Sequence, residues 1–321
     1  MTMTFHNLKR NFGLDFIAGI FIIHMIWLHI LQLTKVDMQS PLYQSTQYLF
    51  FFMPWFFYKS GMFYKTVSNK IILQGGGKRL IKPLLIFSMI GYLLDVGSHY
   101  LKGTMSINSI IVEPLSYFAH YGCVNGNAPL WFLTNLFCAR FIYNLFQRKI
   151  LVALLALVMA IVLHYMGWNY PLNLGGLMAG LFFYALGDLL RSRQYGIWQL
   201  IVSALLFALS IMIGIQRVSI FRNSLEQGEY YVLFFIQSTA AIIMVNNLVN
   251  RLQLRETNIF CLIGRDSIGF YVSHWPVLLI ILSLLKQMGE FSQSQTILLI
   301  VVLLVMILPI VNSTIKRLKL I

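Results

Sequence analysis

Apolar runs close to the ~20 residues needed to cross a bilayer recur along the whole chain, and that recurrence constrains the fold more than any single motif. Of 321 residues, 58% are hydrophobic and 11% charged, so the two soluble domains that length alone would suggest are excluded. The reading is an all-α, polytopic transmembrane helical bundle. Connections between the runs are short, without a Ser/Pro-rich linker or a low-complexity stretch, which makes residues 1–321 one membrane domain. Spans are predicted at approximately 12–33, 44–64, 81–101, 129–147, 150–167, 174–190, 196–215, 230–250, 259–284 and 295–315, ten helices in all.

Charge sets the orientation. Lys65, Lys70, Lys78, Arg79 and Lys82 gather in or beside one connection, and Arg191, Arg193, Arg251, Arg255, Lys316, Arg317 and Lys319 mark others on the same side. The opposite loops hold Lys35, Lys102, Arg217, Arg222 and Lys286. By the positive-inside bias both termini are cytoplasmic, with Lys9 and Arg10 in agreement. The formal net charge of +14 is dispersed over membrane boundaries, with no folded basic module to carry nucleic acid; anionic membrane lipids are the expected partner. The first apolar run is too long for a signal-peptide core and contains Asp15, so it reads as a retained span. Cys123, Cys138 and Cys261 are widely spaced and match neither a metal motif nor a disulfide framework, leaving packing as their role. No inverted halves of the kind found in secondary transporters are visible.

Between Phe12 and Thr34 the chain threads Asp15, His24 and His29 through a stretch fit for lipid. Ionisable residues at such depth face a bundle interior and are functional candidates. Asp15, Gly19, Ile22, Ile26 and His29 follow one stripe of the helix, which reads as a buried seam, while His24 projects elsewhere and is assigned a structural role. Asp15 and His29 stand roughly 21 Å apart by helical rise, so they cannot form a dyad. Any partner of His29 must come from another helix.

Further residues stand out. Lys59 and Ser60 close a dense aromatic run; the Lys59 amine either snorkels to the cytoplasmic boundary or neutralises an anionic group inside the bundle. Arg140 lies roughly 16 Å beyond Pro129 along its helix, and a guanidinium there needs Asp15, Asp188 or a ligand oxygen as partner. Asp188 pairs locally with Arg191. The connection with Gly75-Gly76-Gly77-Lys78-Arg79 reads as a glycine-rich basic loop. It serves either to orient the helices or to hold phosphate, though it is no P-loop. Ser267, Tyr271 and His274 step by four and three onto one face, with His274 either packing or lining a cavity. The segment from Lys102 to Ala128, with His120 and Cys123, is a lid, an acceptor site or a disordered loop.

The ordered pieces Leu14-Asp15 with Gly19 and His29, Ser60-Gly61-Met62-Phe63, Leu130-Trp131-Phe132-Leu133, Phe182 to Gly187, and Gly264-Arg265-Asp266-Ser267 with Tyr271, His274 and Pro276 resemble the acyltransferase 3 family of membrane O-acyltransferases, over essentially the full length. The resemblance implies transfer of an acyl group, most often acetyl from acetyl-CoA, to a hydroxyl of a glycan or glycolipid of the cell envelope. It implies a bacterial inner-membrane location, no bound cofactor, and acyl-CoA as donor. His29 falls on the family's first-helix histidine and is the expected catalytic residue. Imidazole titrates near operating pH and suits a general base; an acyl-histidine intermediate and a packing role are the other readings. Lys59, Ser60, Lys78, Arg79, Trp131, Arg140, Tyr271 and His274 are the expected substrate-binding residues. The family's usual basic residue before Gly19 is replaced by Ala18, for which Arg140, Lys59 and Arg79 are possible substitutes. Because His29 lies roughly 26 Å along the helix from Phe12, a cytoplasmic thioester would have to reach deep into the bundle. A glycan exporter without chemistry is the rival reading, and an inactive scaffold a third.

Overall fold

The computed structural model describes residues 10–193, 195–226, 228 and 230–321, so Lys9 lies outside the described residues. Asn11 caps the first helix, α1 (Phe12–Leu33), its side chain accepting from the Leu14 N–H. The short α2 (Pro41–Gln44) and a 3-10 turn at Gln47–Leu49 lead into α3 (Phe52–Met62). α4 (Asn69–Gly76) continues through a π segment at Gly77–Ile81 into α5 (Lys82–Leu101). A second π segment at Asn108–Val112 and α6 (Glu113–Tyr121) follow, then a 3-10 stretch at Asn125–Leu130 and α7 (Trp131–Leu145). The remainder is α8 (Lys149–Tyr165), α9 (Leu174–Leu190), α10 (Ile197–Ile213), a two-residue hairpin of β1 (Val218–Ser219) and β2 (Ser224–Leu225), α11 (Tyr231–Val249), α12 (Ile259–Arg265), α13 (Ser267–Met288) and α14 (Gln293–Arg317).

Among the described residues, five apolar stretches are long enough to cross a membrane: α1, the continuous Asn69–Leu101 helix, α11, α13 and α14. α8, α9 and α10 are apolar but shorter. The run predicted at 44–64 is broken into α2, the 3-10 turn and an 11-residue α3. Pro54 explains where α3 can start: its missing N–H is harmless only in a first helical turn. Pro129 acts in the same way ahead of α7, which is 15 residues long instead of the predicted 129–147. The predicted ninth span is two helices, interrupted at Asp266, whose carboxylate pairs with Lys316 of α14.

The expected glycine-rich loop is helical instead. Gly75, Gly76 and Gly77 lie inside the Asn69–Leu101 helix, and a Cβ on Gly76 would meet the Phe137 ring of α7 at 2.9 Å. The segment 102–128 is likewise folded, as the second π segment, α6 and the 3-10 stretch.

Two glycine pairs set how the bundle closes. α1 packs on α12 and α3 on α9. A Cβ on Gly264 would collide with the Asp15 carbonyl and one on Gly19 with that of Phe260; Gly61 and Gly187 face the Tyr184 and Tyr58 carbonyls in the same way. Small residues at such positions allow backbones to touch. The core is largely aromatic, with Trp55, Phe57, Tyr58, Tyr143, Tyr184, Phe183 and Phe234 buried.

Candidate active site

α1 carries His29 in its last turns, and α13 brings His274 against it. His29 Nδ1 and His274 Nε2 are 2.9 Å apart. The rings are nearly parallel, at 7°, with centroids 5.1 Å apart, the separation an edge-to-edge hydrogen bond between imidazoles requires. On its far side His274 Nδ1 lies 2.6 Å from the Tyr271 carbonyl oxygen. A carbonyl only accepts, so His274 Nδ1 carries its proton. A neutral His274 then offers Nε2 as an acceptor, and His29 Nδ1 donates to it. The remaining nitrogen of His29, Nε2, keeps an unshared pair. Trp275 packs edge to face on the His29 ring at 5.1 Å and fixes its orientation further.

His29 lines a cavity of about 550 Å³ together with Trp131, Tyr271, Trp275, Arg217 and Arg222. Trp131 is delivered by the turn before α7. Asn127, fully buried, donates to the Val272 carbonyl at 3.2 Å and so ties that turn to α13. Tyr271 donates its hydroxyl to the Pro129 carbonyl, closing the same junction. The opposite wall is the β1–β2 hairpin. Arg217 is buried there, its Nε 2.8 Å from Glu226 Oε2 and its guanidinium over the Tyr43 ring at 5.5 Å.

A second cavity of about 210 Å³ lies toward the other end of the bundle, lined by Lys59, Ser60, Leu80 and Ser267. Met53 and Tyr271 belong to the walls of both cavities. The expected Ser267, Tyr271, His274 face of α13 therefore runs from the smaller cavity to the His29 partner.

The charged residues sort differently from expectation. Asp15 is paired with Arg10, Nε to Oδ2 at 2.5 Å, and Lys59 Nζ lies 4.0 Å from Asp15 Oδ1. The hydrogen bond to Asp15 raises the pKa of Arg10. Lys59 thus neutralises a buried carboxylate and also reaches the Leu14 carbonyl at 3.4 Å. Asp188 pairs with Arg191 at 3.2 Å, as expected, and accepts from the Tyr143 hydroxyl at 2.8 Å. With both carboxylates taken, half-buried Arg140 has no ion pair among the described residues, which removes the predicted Asp15 and Asp188 partners. Lys78 and Arg79 are exposed on the helix adjoining Leu80 and line neither cavity. Helical hydrogen bonding occupies the backbone amides that a phosphate-holding loop would have offered.

His24 is buried and packs at 5.1 Å on Phe52, a wall of the His29 cavity, without itself lining that cavity. The three cysteines are free; burial pushes the Cys123 thiol pKa up and keeps it protonated. Arg10, Arg217, Arg222, Glu226 and Trp275 escaped the sequence reading as site residues. Arg10 sits five residues before Asp15, a spacing that was available as a signal; Arg217 and Arg222 had none beyond being loop charges.

A family model described as an acyltransferase domain matches residues 11–312. Neither the curated proteins nor the solved structures yield a match.

Proposed function

The chain belongs to the acyltransferase 3 family, a membrane-associated O-acyltransferase family, and from that premise we propose that His29 is the general base for transfer of acetyl from acetyl-CoA to a hydroxyl of a cell-envelope glycan. The hydroxyl oxygen bonds to the thioester carbonyl carbon while its proton passes to His29 Nε2. Collapse of the tetrahedral species breaks the carbon–sulfur bond, and His29 returns the proton to the departing CoA sulfur. The products are an O-acyl ester and CoA. His274 holds the His29 proton on Nδ1, leaving the reactive lone pair on Nε2, and accepts the hydrogen bond that steadies the imidazolium.

The observation that carries this reading is the chain from the Tyr271 carbonyl through His274 to His29, ending in a cavity. The two cavities meeting at Met53 and Tyr271 support opposite approaches: donor from the Lys59 end, acceptor through the larger cavity. That arrangement eases the depth problem, because the thioester reaches His29 past Tyr271 from a cavity already inside the bundle. We assign the Lys59 end to the cytoplasm, with both termini there, and take α3 and α7 with their 3-10 leads as crossings that complete ten spans in a bacterial inner membrane. Lys78 and Arg79 then act on CoA phosphates through side chains alone, and Arg140 is available to the donor.

Oriented proteoliposomes test the assignment. Acetyl-CoA supplied on the Lys59 side with glycan on the other should give acylated glycan and stoichiometric CoA. The shared cavity wall also suits an exporter. Glycan crossing without CoA release would favour that reading over chemistry.

A further inference from the structure

Arg222 lines the His29 cavity and also a separate cavity of about 410 Å³ formed with His120, Tyr121, Trp168 and Tyr170. Resting on the acceptor-side reading of the larger cavity, we propose that this outer cavity is a second acceptor subsite, and that the acceptor is an acidic oligosaccharide whose anionic group binds Arg222.

Three features point to this ligand. The outer cavity is built of rings: His120 and Tyr170 lie 5.0 Å apart, and Trp168 and Tyr170 are exposed. Aromatic faces with polar tips suit the apolar faces of sugar rings. Charge is the second feature. Arg217 is matched by Glu226, whereas Arg222 is exposed, lines both cavities and has no ion pair among the described residues. A guanidinium fork fits a carboxylate or phosphate. Preorganisation is the third. The Leu172 and Asn173 amides donate to the Ala119 and His120 carbonyls at 2.8 and 2.6 Å, and Asn173 Nδ2 donates to the Ile220 carbonyl at 2.9 Å. The Trp168–Tyr170 loop, α6 and the hairpin are thus bonded together before any ligand arrives. A single sugar would fill only one cavity. Two cavities joined at one arginine call for a chain.

The test is acceptor binding by the purified full-length protein in nanodiscs, with no acyl-CoA present. The probes are tetrasaccharides of glucuronate, galacturonate and sialate, the carboxyl-reduced form of each, and the acidic monosaccharides. At least one acidic tetrasaccharide should bind about tenfold more tightly than its reduced form, as a charge-assisted hydrogen bond allows, and more tightly than its monosaccharide. Arg222→Gln should collapse the acid preference and Arg222→Lys should retain part of it. Trp168→Ala should remove the length preference and Trp168→Phe should keep it. If no acidic probe outperforms its reduced form, or if Trp168→Ala lowers only yield and thermal stability as an interfacial anchor would, the proposal is overturned. His29→Ala should keep the acid preference, because the anionic group is held at Arg222. Intact acid preference with normal acylation by that variant would overturn the catalytic reading alone.

Discussion

His29 and His274, 245 residues apart in sequence, share one hydrogen bond of 2.9 Å between ring edges. Their order is fixed by a third group. Because the Tyr271 carbonyl claims the His274 Nδ1 proton, the pair has a direction, and a donor–acceptor chain of this kind assigns each tautomer without further help. The same logic holds a base in register in hydrolytic triads built on other folds.

Removing His274 should therefore act through His29. His274→Ala is expected to lower kcat by about 10²-fold, the lower end of what a positioned base contributes, with the donor KM little changed. His274→Gln, whose amide oxygen can accept from His29 Nδ1, should recover part of the loss. Equal losses in both variants, or a change confined to KM, would mean His274 only fills space.

At the other end one carboxylate, Asp15, is shared by two cations of unequal burial. Lys59 is mostly enclosed while Arg10 is about half exposed, so Asp15→Asn strands Lys59 more than Arg10. A stranded buried charge costs about 3–5 kcal/mol. Thermal unfolding in detergent should show Asp15→Asn well below the wild type and the Asp15→Asn/Lys59→Met double variant partly restored. A double variant less stable than the single one would show that Lys59 does not depend on Asp15.

Glycine contacts predict a second stability effect. Gly61→Ala and Gly264→Ala place a methyl group against the Tyr184 and Asp15 carbonyls, and such overpacking costs about 1–3 kcal/mol. Gly75→Ala, where a Cβ meets nothing, should be neutral or slightly stabilising. Melting temperatures that fail to separate these variants would contradict the packing described.

For the donor, exchanging both Lys78 and Arg79 for Gln should raise the acetyl-CoA KM without altering that of the acceptor. Added salt should imitate the change by screening exposed charges. An orienting role instead predicts fewer inserted molecules with ordinary donor affinity, which a titration in liposomes distinguishes.

How much of this was legible depended on whether the deciding contact was local. The bounds of α1 and α9 follow from hydropathy alone; along the stripe expected from helical period, Asp15, Gly19 and Ile22 are buried while Ile26 and His29 are half-buried. His274 could be placed by its spacing from Ser267 and Tyr271. The break ahead of α3 was written in Pro54 but outweighed by the surrounding aromatic run. Gly75 to Gly77 misled, because glycine in isolation favours loops whereas here the helix passes Phe137 closely enough to need Gly76. In the sequence Arg217 is only a charge in a loop between apolar runs. Only the hairpin, folding back so that Glu226 and Tyr43 enclose the guanidinium, turns it into a wall of the cavity, and nothing in the neighbouring sequence announces that contact.

The most direct measurement is acyl transfer by His29→Ala, reconstituted at wild-type yield and melting temperature, following free CoA and acylated glycan together from saturating acetyl-CoA. The account predicts that both products fall by about 10²-fold or more, while His24→Ala, altered outside the cavity, releases both at close to the wild-type rate. Normal production of CoA and O-acyl glycan by a folded His29→Ala protein would contradict it.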